Sequence, residues 1–218
     1  MKLYGVYLSP FATSIMMLLE AKSVDYELVM PPGGLGSEEF GHINYMQRIP
    51  VLESDDGDFV YESAVIAQYI DELYPMPNIA GSSPLEAAQN RTLARLADLY
   101  LLHGFLAVSG ELREKRFDSD VVKHSIATAQ RGLRDVEETM KRTEYQISET
   151  FTYADCFLIP GMHVVDLLLP IVGHSDYLAD LPTLSAYWKA AQSSERHGFY
   201  IDKMRQAVKL RQETGEAM

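Results

Sequence analysis

The chain has 218 residues, 47% of them hydrophobic and 23% charged, which is the composition of a folded protein with one or two cores. Its formal charge of −12 argues against a nucleic-acid or anionic-membrane surface, because neither attracts an acidic chain. The lone cysteine, Cys156, excludes an internal disulfide and a CxxC redox pair, and six histidines that never pair at i,i+4 leave no metal site to expect.

Residues 2–8 alternate and are rich in Tyr and Val, as a strand requires. Ser9-Pro10 interrupts them, and residues 13–22, rich in Met, Leu and Ala, predict a helix. Residues 26–30 read as a second strand. The run Pro31-Pro32-Gly33-Gly34-Leu35-Gly36 superficially resembles a phosphate loop but lacks the Gly-Lys-Ser/Thr ending, so it reads as a flexible turn. A weak helix over 37–45 follows. Pro50-Val51-Leu52-Glu53 and Phe59-Val60-Tyr61 flank Asp56-Gly57, a hairpin signal. Residues 62–73 place Val65, Ile66, Tyr69, Ile70 and Leu73 on one helical face. The crossover between the first two strands predicts a parallel pair, and the hairpin adds an antiparallel one.

Pro75, Pro77 and Gly81-Ser82-Ser83-Pro84 then break the chain and mark a linker at about 79–85 between a first domain, 1–78, and a second, 86–218. The second domain reads as helical throughout. Leu93, Leu96, Ala97, Tyr100, Leu101, Gly104, Phe105, Val108 and Leu112 recur at helical spacing, as do Val122, Ile126, Ala129, Leu133, Val136 and Met140. Thr152-Tyr153-Ala154-Asp155 is a capping-box pattern, flanked by Phe151 and by Cys156-Phe157 as a possible staple, and predicts a helix to Leu169, before Pro170. Pro182, Leu184 and Trp188 open a further helix. The longest apolar stretches fall short of the roughly 18 uninterrupted residues of a membrane span. Residues 1–7 are too short and β-like for a signal peptide, so a cytoplasmic location is expected.

Ser9 stands between a strand and a helix. There a hydroxyl either caps the helix or, with the positive helix terminus, stabilises an anion. Pro10 fits both readings. Arg48-Ile49-Pro50-Val51-Leu52 contains either a proline that opens an edge strand or a bend that presents the Ile49 backbone to an extended peptide. Glu62-Ser63-Ala64-Val65-Ile66 opens a helix, where Glu and Ser suit capping and dipole alike.

Leu3-Tyr4-Gly5 followed by Leu8-Ser9-Pro10 resembles the opening of serine-type glutathione transferases of the phi, theta and bacterial kind. With the Ile49-Pro50 and Glu62-Ser63 motifs, the capping box and the Trp188 region in order, the resemblance covers nearly the whole chain. It implies glutathione transferase architecture: an α/β thioredoxin-like N-terminal domain, an all-α helical bundle and a homodimer. Carried over, Ser9 donates a hydrogen bond to the glutathione sulfur, with Thr13 and Ser14 as alternatives because beta-class relatives place that contact slightly later. Pro50 becomes a cis-proline beside which the Ile49 backbone pairs with glutathione. Glu62 accepts from the ligand's ammonium group, and Ser63 with the helix amides binds its carboxylate.

Departures accompany the resemblance. The usual Asn-Pro is Asn44-Tyr45, and the His-Lys pair of plant-type relatives falls on Leu35-Gly36. Arg48 is the candidate replacement for that charge, bidentately at best. Cys156, on an apolar helix face, reads as inert core, against cysteine-type thiol transfer. The second substrate is expected against Tyr7, Phe11 and the long helix near Tyr100, His103 and Phe105, with His103 a polar wall residue. The expected function is a glutathione transferase that activates the glutathione thiol, its co-substrate, for attack on a small hydrophobic electrophile. The alternatives are a glutathione-dependent isomerase or ether-cleaving enzyme of aromatic catabolism, and a non-catalytic glutathione- or ligand-binding protein. The serine-serine-cysteine run of the maleylacetoacetate isomerases is absent, which counts against the isomerase.

Overall fold

The computed structural model describes residues 1–215, and the side chains of Phe105, Leu106, Ala107, Ser109 and Arg113 lie outside the described set. The chain divides into two compact units, Met1–Ile79 together with the chain from Asp202 onward, and Ala80–Ile201. The tail after Asp202 was expected with the helical domain. It groups instead with the first unit, where the Lys203 ammonium lies 5.8 Å from the centroid of the Tyr7 ring.

The first unit is built in the order β1 (Lys2–Tyr4), α1 (Pro10–Ala21), β2 (Glu27–Val29), α2 (Glu38–Ile43), β3 (Val51–Glu53), β4 (Phe59–Tyr61) and α3 (Ser63–Leu73). The sheet runs β2-β1-β3-β4, with β1 parallel to β2 and antiparallel to β3, and β3 antiparallel to β4. This is the mixed four-stranded sheet of a thioredoxin-like domain. β1 is shorter than the alternation suggested: after Gly5 the chain folds into a turn closed by Ser9 N–H to the Val6 carbonyl at 3.0 Å. That turn lets α1 start at Pro10, three residues earlier than the apolar pattern indicated.

Alternation along the strands divides the core. Tyr4 and Val51 pack with Phe40 of α2, while Leu3 and Leu52, on the opposite face, are fully buried. α1 packs against α3, and Gly5 permits the close approach of α1, because a Cβ there would lie 2.8 Å from that of Ala12. Lys22, the α1 C-cap, pairs with Asp71 of α3 at 2.6 Å and donates to the Pro77 carbonyl at 3.0 Å, which offsets burial of its charge. The Ile49–Pro50 and Met76–Pro77 bonds are cis.

The second unit is helical: α4 (Pro84–Leu96), α5 (His103–Arg113), α6 (Asp120–Thr143), α7 (Asp155–Leu168) and α8 (Pro182–Ser193), with α9 (Glu195–Thr214) beginning in it. The long periodic stretch expected around residues 93–112 is α4 and α5 joined by a π-helical segment, Ala97–Leu102. Gly132 of α6 faces that segment so closely that a Cβ would fall 2.4 Å from Tyr100 Cβ. α6 carries the expected stripe, with Val122, Ala129, Leu133, Val136 and Met140 buried.

α7 starts from the capping box. Asp155 N–H donates to Thr152 Oγ1 at 3.1 Å, and the Asp155 carboxylate accepts the Thr152 N–H at 2.8 Å. The segment Asp155–Val172 is long and apolar enough to cross a membrane by length and composition, yet 67% of it is buried inside the protein, as in a core helix. Glu137 of α6 caps α8 in trans, accepting from Thr183 N–H at 3.1 Å and Leu184 N–H at 2.6 Å. Burial opposes ionisation of Glu137, but these amides and Lys141 outweigh it and lower its pKa.

Candidate active site

The strand register gathers the expected glutathione contacts at one end of the sheet. Tyr4, the last residue of β1, pairs with Val51, the first of β3, and Val51 pairs with Tyr61, the last of β4. With strands spaced about 4.8 Å apart, the chain leaving β1 toward Ser9, the chain entering β3 through Ile49 and Pro50, and the chain leaving β4 into Glu62 and Ser63 emerge side by side. Val29, the last residue of β2, pairs with Tyr4, so the loop that holds Leu35 and Gly36 starts from the same end.

Ser9 is the N-cap of α1, with extended backbone (φ −89°, ψ 112°), and its Oγ accepts the Ala12 N–H at 3.3 Å. Capping uses a lone pair and leaves the hydroxyl proton for an anion in front of the helix. Cap and anion donor are therefore compatible roles for one side chain. The alternatives are placed differently. Thr13 and Ser14 are fully buried, and their hydroxyls donate to the Tyr7 carbonyl at 3.4 Å and the Pro10 carbonyl at 3.0 Å.

Ile49 precedes β3 in a loop pinned by Asn44, a buried side chain whose Nδ2 donates to the Arg48 carbonyl at 2.8 Å and whose Oδ1 accepts from Met46 N–H at 3.0 Å. The Ile49 N–H and C=O make no hydrogen bond among the described residues. The Arg48 side chain is exposed. Asn44 was noted in the sequence only as a departure from Asn-Pro; its role in holding the loop was missed.

Glu62, the N-cap of α3, has φ 66° and ψ 121° and makes no side-chain cap hydrogen bond. A non-glycine residue there costs about 1–3 kcal/mol, a strain found where a ligand clamp needs the side chain aimed elsewhere. Its carbonyl takes the N–H groups of Val65 and Ile66, at 2.9 and 2.8 Å, which leaves the first-turn amides of Ser63 and Ala64 facing outward. Glu62 is exposed and Ser63 is buried, so a carboxylate acceptor and a helix N-terminus adjoin.

The residues expected around the second substrate belong to both units. In the first, Tyr7 and Phe11 are half-buried, and burial, then Glu20, push the Tyr7 phenol pKa up. In the second, Tyr100 lies in the π segment over Gly132, and His103 is exposed. His103 Nδ1 lies 2.7 Å from the Asp98 carbonyl, which only accepts, so Nδ1 carries the proton. The side chain of Phe105 lies outside the described residues. Cys156 is buried and its thiol donates to the Thr152 carbonyl at 3.3 Å. No group of three or more His, Cys, Asp or Glu side chains that could hold a metal ion occurs among the described residues.

Residues 3–79 match the family model of the glutathione S-transferase N-terminal domain. The chain carries a glutathione S-transferase N-terminal domain. Over 174 residues, covering 76% of this chain and 82% of the relative, it is 28% identical to a maleylacetoacetate isomerase of Pseudomonas aeruginosa. It is 26% identical to glutathione S-transferase omega-1 of Sus scrofa over 77% of this chain and 68% of that one. The fold is that of solved glutathione transferases. A Methylobacillus flagellatus glutathione S-transferase with GSH bound superposes with a TM-score of 0.75 at 24% identity, covering 91% of this chain and 98% of that one. Glutathione transferase F7 of Populus trichocarpa gives 0.73 at 20% identity, covering 93% and 98%.

Proposed function

We propose that the protein is a glutathione transferase in which Ser9 lowers the pKa of the bound glutathione thiol for attack on a small hydrophobic electrophile. One observation carries this reading. A hydroxyl at a helix N-terminus, an unpaired Ile49 backbone and a strained Glu62 beside a second helix N-terminus all lie at one end of the sheet. Glutathione offers a thiol, an extended peptide and an α-amino acid to match them. A thiol with pKa near 8.5 is only about 3% thiolate at pH 7, and lowering it two units, about 2.7 kcal/mol, makes thiolate the main form. One hydrogen bond to a charged sulfur plus a helix terminus supplies that amount.

The test is turnover of glutathione with a panel of halogenated aromatics, epoxides and α,β-unsaturated carbonyls. Conjugation of at least one is expected. Glutathione binding without turnover across the panel contradicts transfer and, with no conversion of a maleyl substrate either, selects the non-catalytic reading. The likeness to a maleylacetoacetate isomerase favours one second reading, glutathione-dependent cis–trans isomerisation. It is distinguished by conversion of a maleyl substrate with no net loss of glutathione.

The exposure of Arg48 and its position directly before Ile49 support it as the residue that meets the glycine carboxylate of glutathione in place of the absent His-Lys pair. Arg48→Ala is expected to raise the KM for glutathione several-fold, about 3- to 10-fold, with kcat nearly unchanged, as for loss of ground-state binding. An unchanged KM places that carboxylate elsewhere. The active form in this proposal is a homodimer. Light scattering at micromolar concentration is expected to give twice the 24.5 kDa chain mass, and a monomer mass contradicts it.

A further inference from the structure

We infer that Lys203 is a positioning residue for Ser9, acting through the ring of Tyr7. The inference rests on the proposed role of Ser9. The turn that aims Ser9 is closed by the Ser9 N–H bond to the Val6 carbonyl, 3.0 Å, which makes Tyr7 and Leu8 its two central residues. Two of the contacts of Tyr7 bear on the turn. Its carbonyl accepts the Thr13 hydroxyl at 3.4 Å, and its ring takes the Lys203 ammonium at 5.8 Å from the centroid, within cation–π range.

The surroundings suit that contact. Tyr7 is half-buried, and Glu20 acts on both Tyr7 and Tyr26, with burial the larger cause in each of raising the phenol pKa. Tyr7 therefore presents a neutral aromatic face at neutral pH, in a region where Glu20 supplies negative charge and Lys203 the opposite sign. Lys203 is half-buried on α9 and belongs to the first unit although nearly 200 residues separate it from the turn. The end of the chain thus fixes the orientation of a residue near its beginning.

The test is titration of thiolate absorbance in the binary complex with glutathione, which needs no second substrate. It uses wild type, Lys203→Met, Lys203→Arg, Tyr7→Ala, the Tyr7→Ala/Lys203→Met double variant and Ser9→Ala. Lys203→Met is expected to raise the midpoint by about 0.3–0.7 pH unit, the two- to fivefold population change a cation–π contact provides. Lys203→Arg, which keeps the cation over the ring, is expected to restore it, and the double variant to shift no further than Tyr7→Ala. Additive shifts from Tyr7→Ala and Lys203→Met overturn the inference, because Lys203 then acts independently of the ring. So does an unshifted Lys203→Met beside a shifted Ser9→Ala, which leaves the role of Ser9 standing. A wild-type complex that titrates like free glutathione overturns thiol activation itself, and this inference with it.

Discussion

Ser9→Ala is expected to lower turnover with glutathione at neutral pH by about tenfold or more and to move the pH–rate profile to higher pH. The side chain acts twice. Its oxygen caps α1 through Ala12 N–H, which leaves its proton available to donate. Losing the cap costs about 1 kcal/mol, a fall in Tm of roughly 2–4 °C for a chain of this size. In the proposed reading, losing the donor removes an interaction made with charged sulfur and little with neutral thiol, so it is expected in the thiol pKa and in kcat. Ser9→Gly separates the two effects, since glycine at an N-cap costs only a few tenths of a kcal/mol. Its turnover should fall as far as that of Ser9→Ala while its stability stays closer to wild type. Recovery of turnover in Ser9→Gly would show that the Ser9→Ala defect came from the cap.

The largest stability effect is expected from Asp155. Its carboxylate is fully buried, closes the capping box on Thr152, and accepts the hydroxyls of Tyr145 and Tyr187 at 2.8 Å each. Asp155→Ala strands three donors at once, the Thr152 N–H and the hydroxyls of Tyr145 and Tyr187. The expected loss is about 3–5 kcal/mol, or roughly 6–20 °C in Tm, set against a total stability on the order of 5–15 kcal/mol. Urea unfolding checks it, and a loss below about 1 kcal/mol contradicts it. Burial, then the charge of Asp155, holds both phenols well above their ordinary pKa. Unfolding lets them ionise near pH 10. The stability tied to their protonated form is thus full below about pH 10 and is lost as pH rises from there toward their folded-state values.

The sequence carried the fold because its signals were local. Alternation and Asp56-Gly57 marked the hairpin, the crossover set the parallel pair, and Thr152 to Asp155 announced the start of α7. The candidate site was legible as motifs, since Ser9, Ile49-Pro50 and Glu62-Ser63 each sit where a strand meets a loop or helix. What escaped depended on pairing across the chain or on backbone angles. The register Tyr4–Val51–Tyr61 that sets the motifs side by side has no single-residue signature. Neither does the positive φ of Glu62, because such strain usually announces itself through glycine. Asp155 was readable as a cap residue, but its tyrosine partners lie 10 and 32 residues away. The π segment interrupts α4 and α5 without disturbing their apolar periodicity, so the spacing read as one helix.

The central claim is that Ser9 holds the glutathione sulfur as thiolate, and the thiolate absorbance of the glutathione complex, titrated against pH in wild type and Ser9→Ala, tests it most directly. Wild type is expected to titrate about two units below free glutathione and Ser9→Ala well above wild type, with glutathione still bound through Ile49, Glu62 and Ser63. Coincident titrations with equal turnover would contradict the claim, reducing Ser9 to a helix cap and leaving the sulfur to another donor.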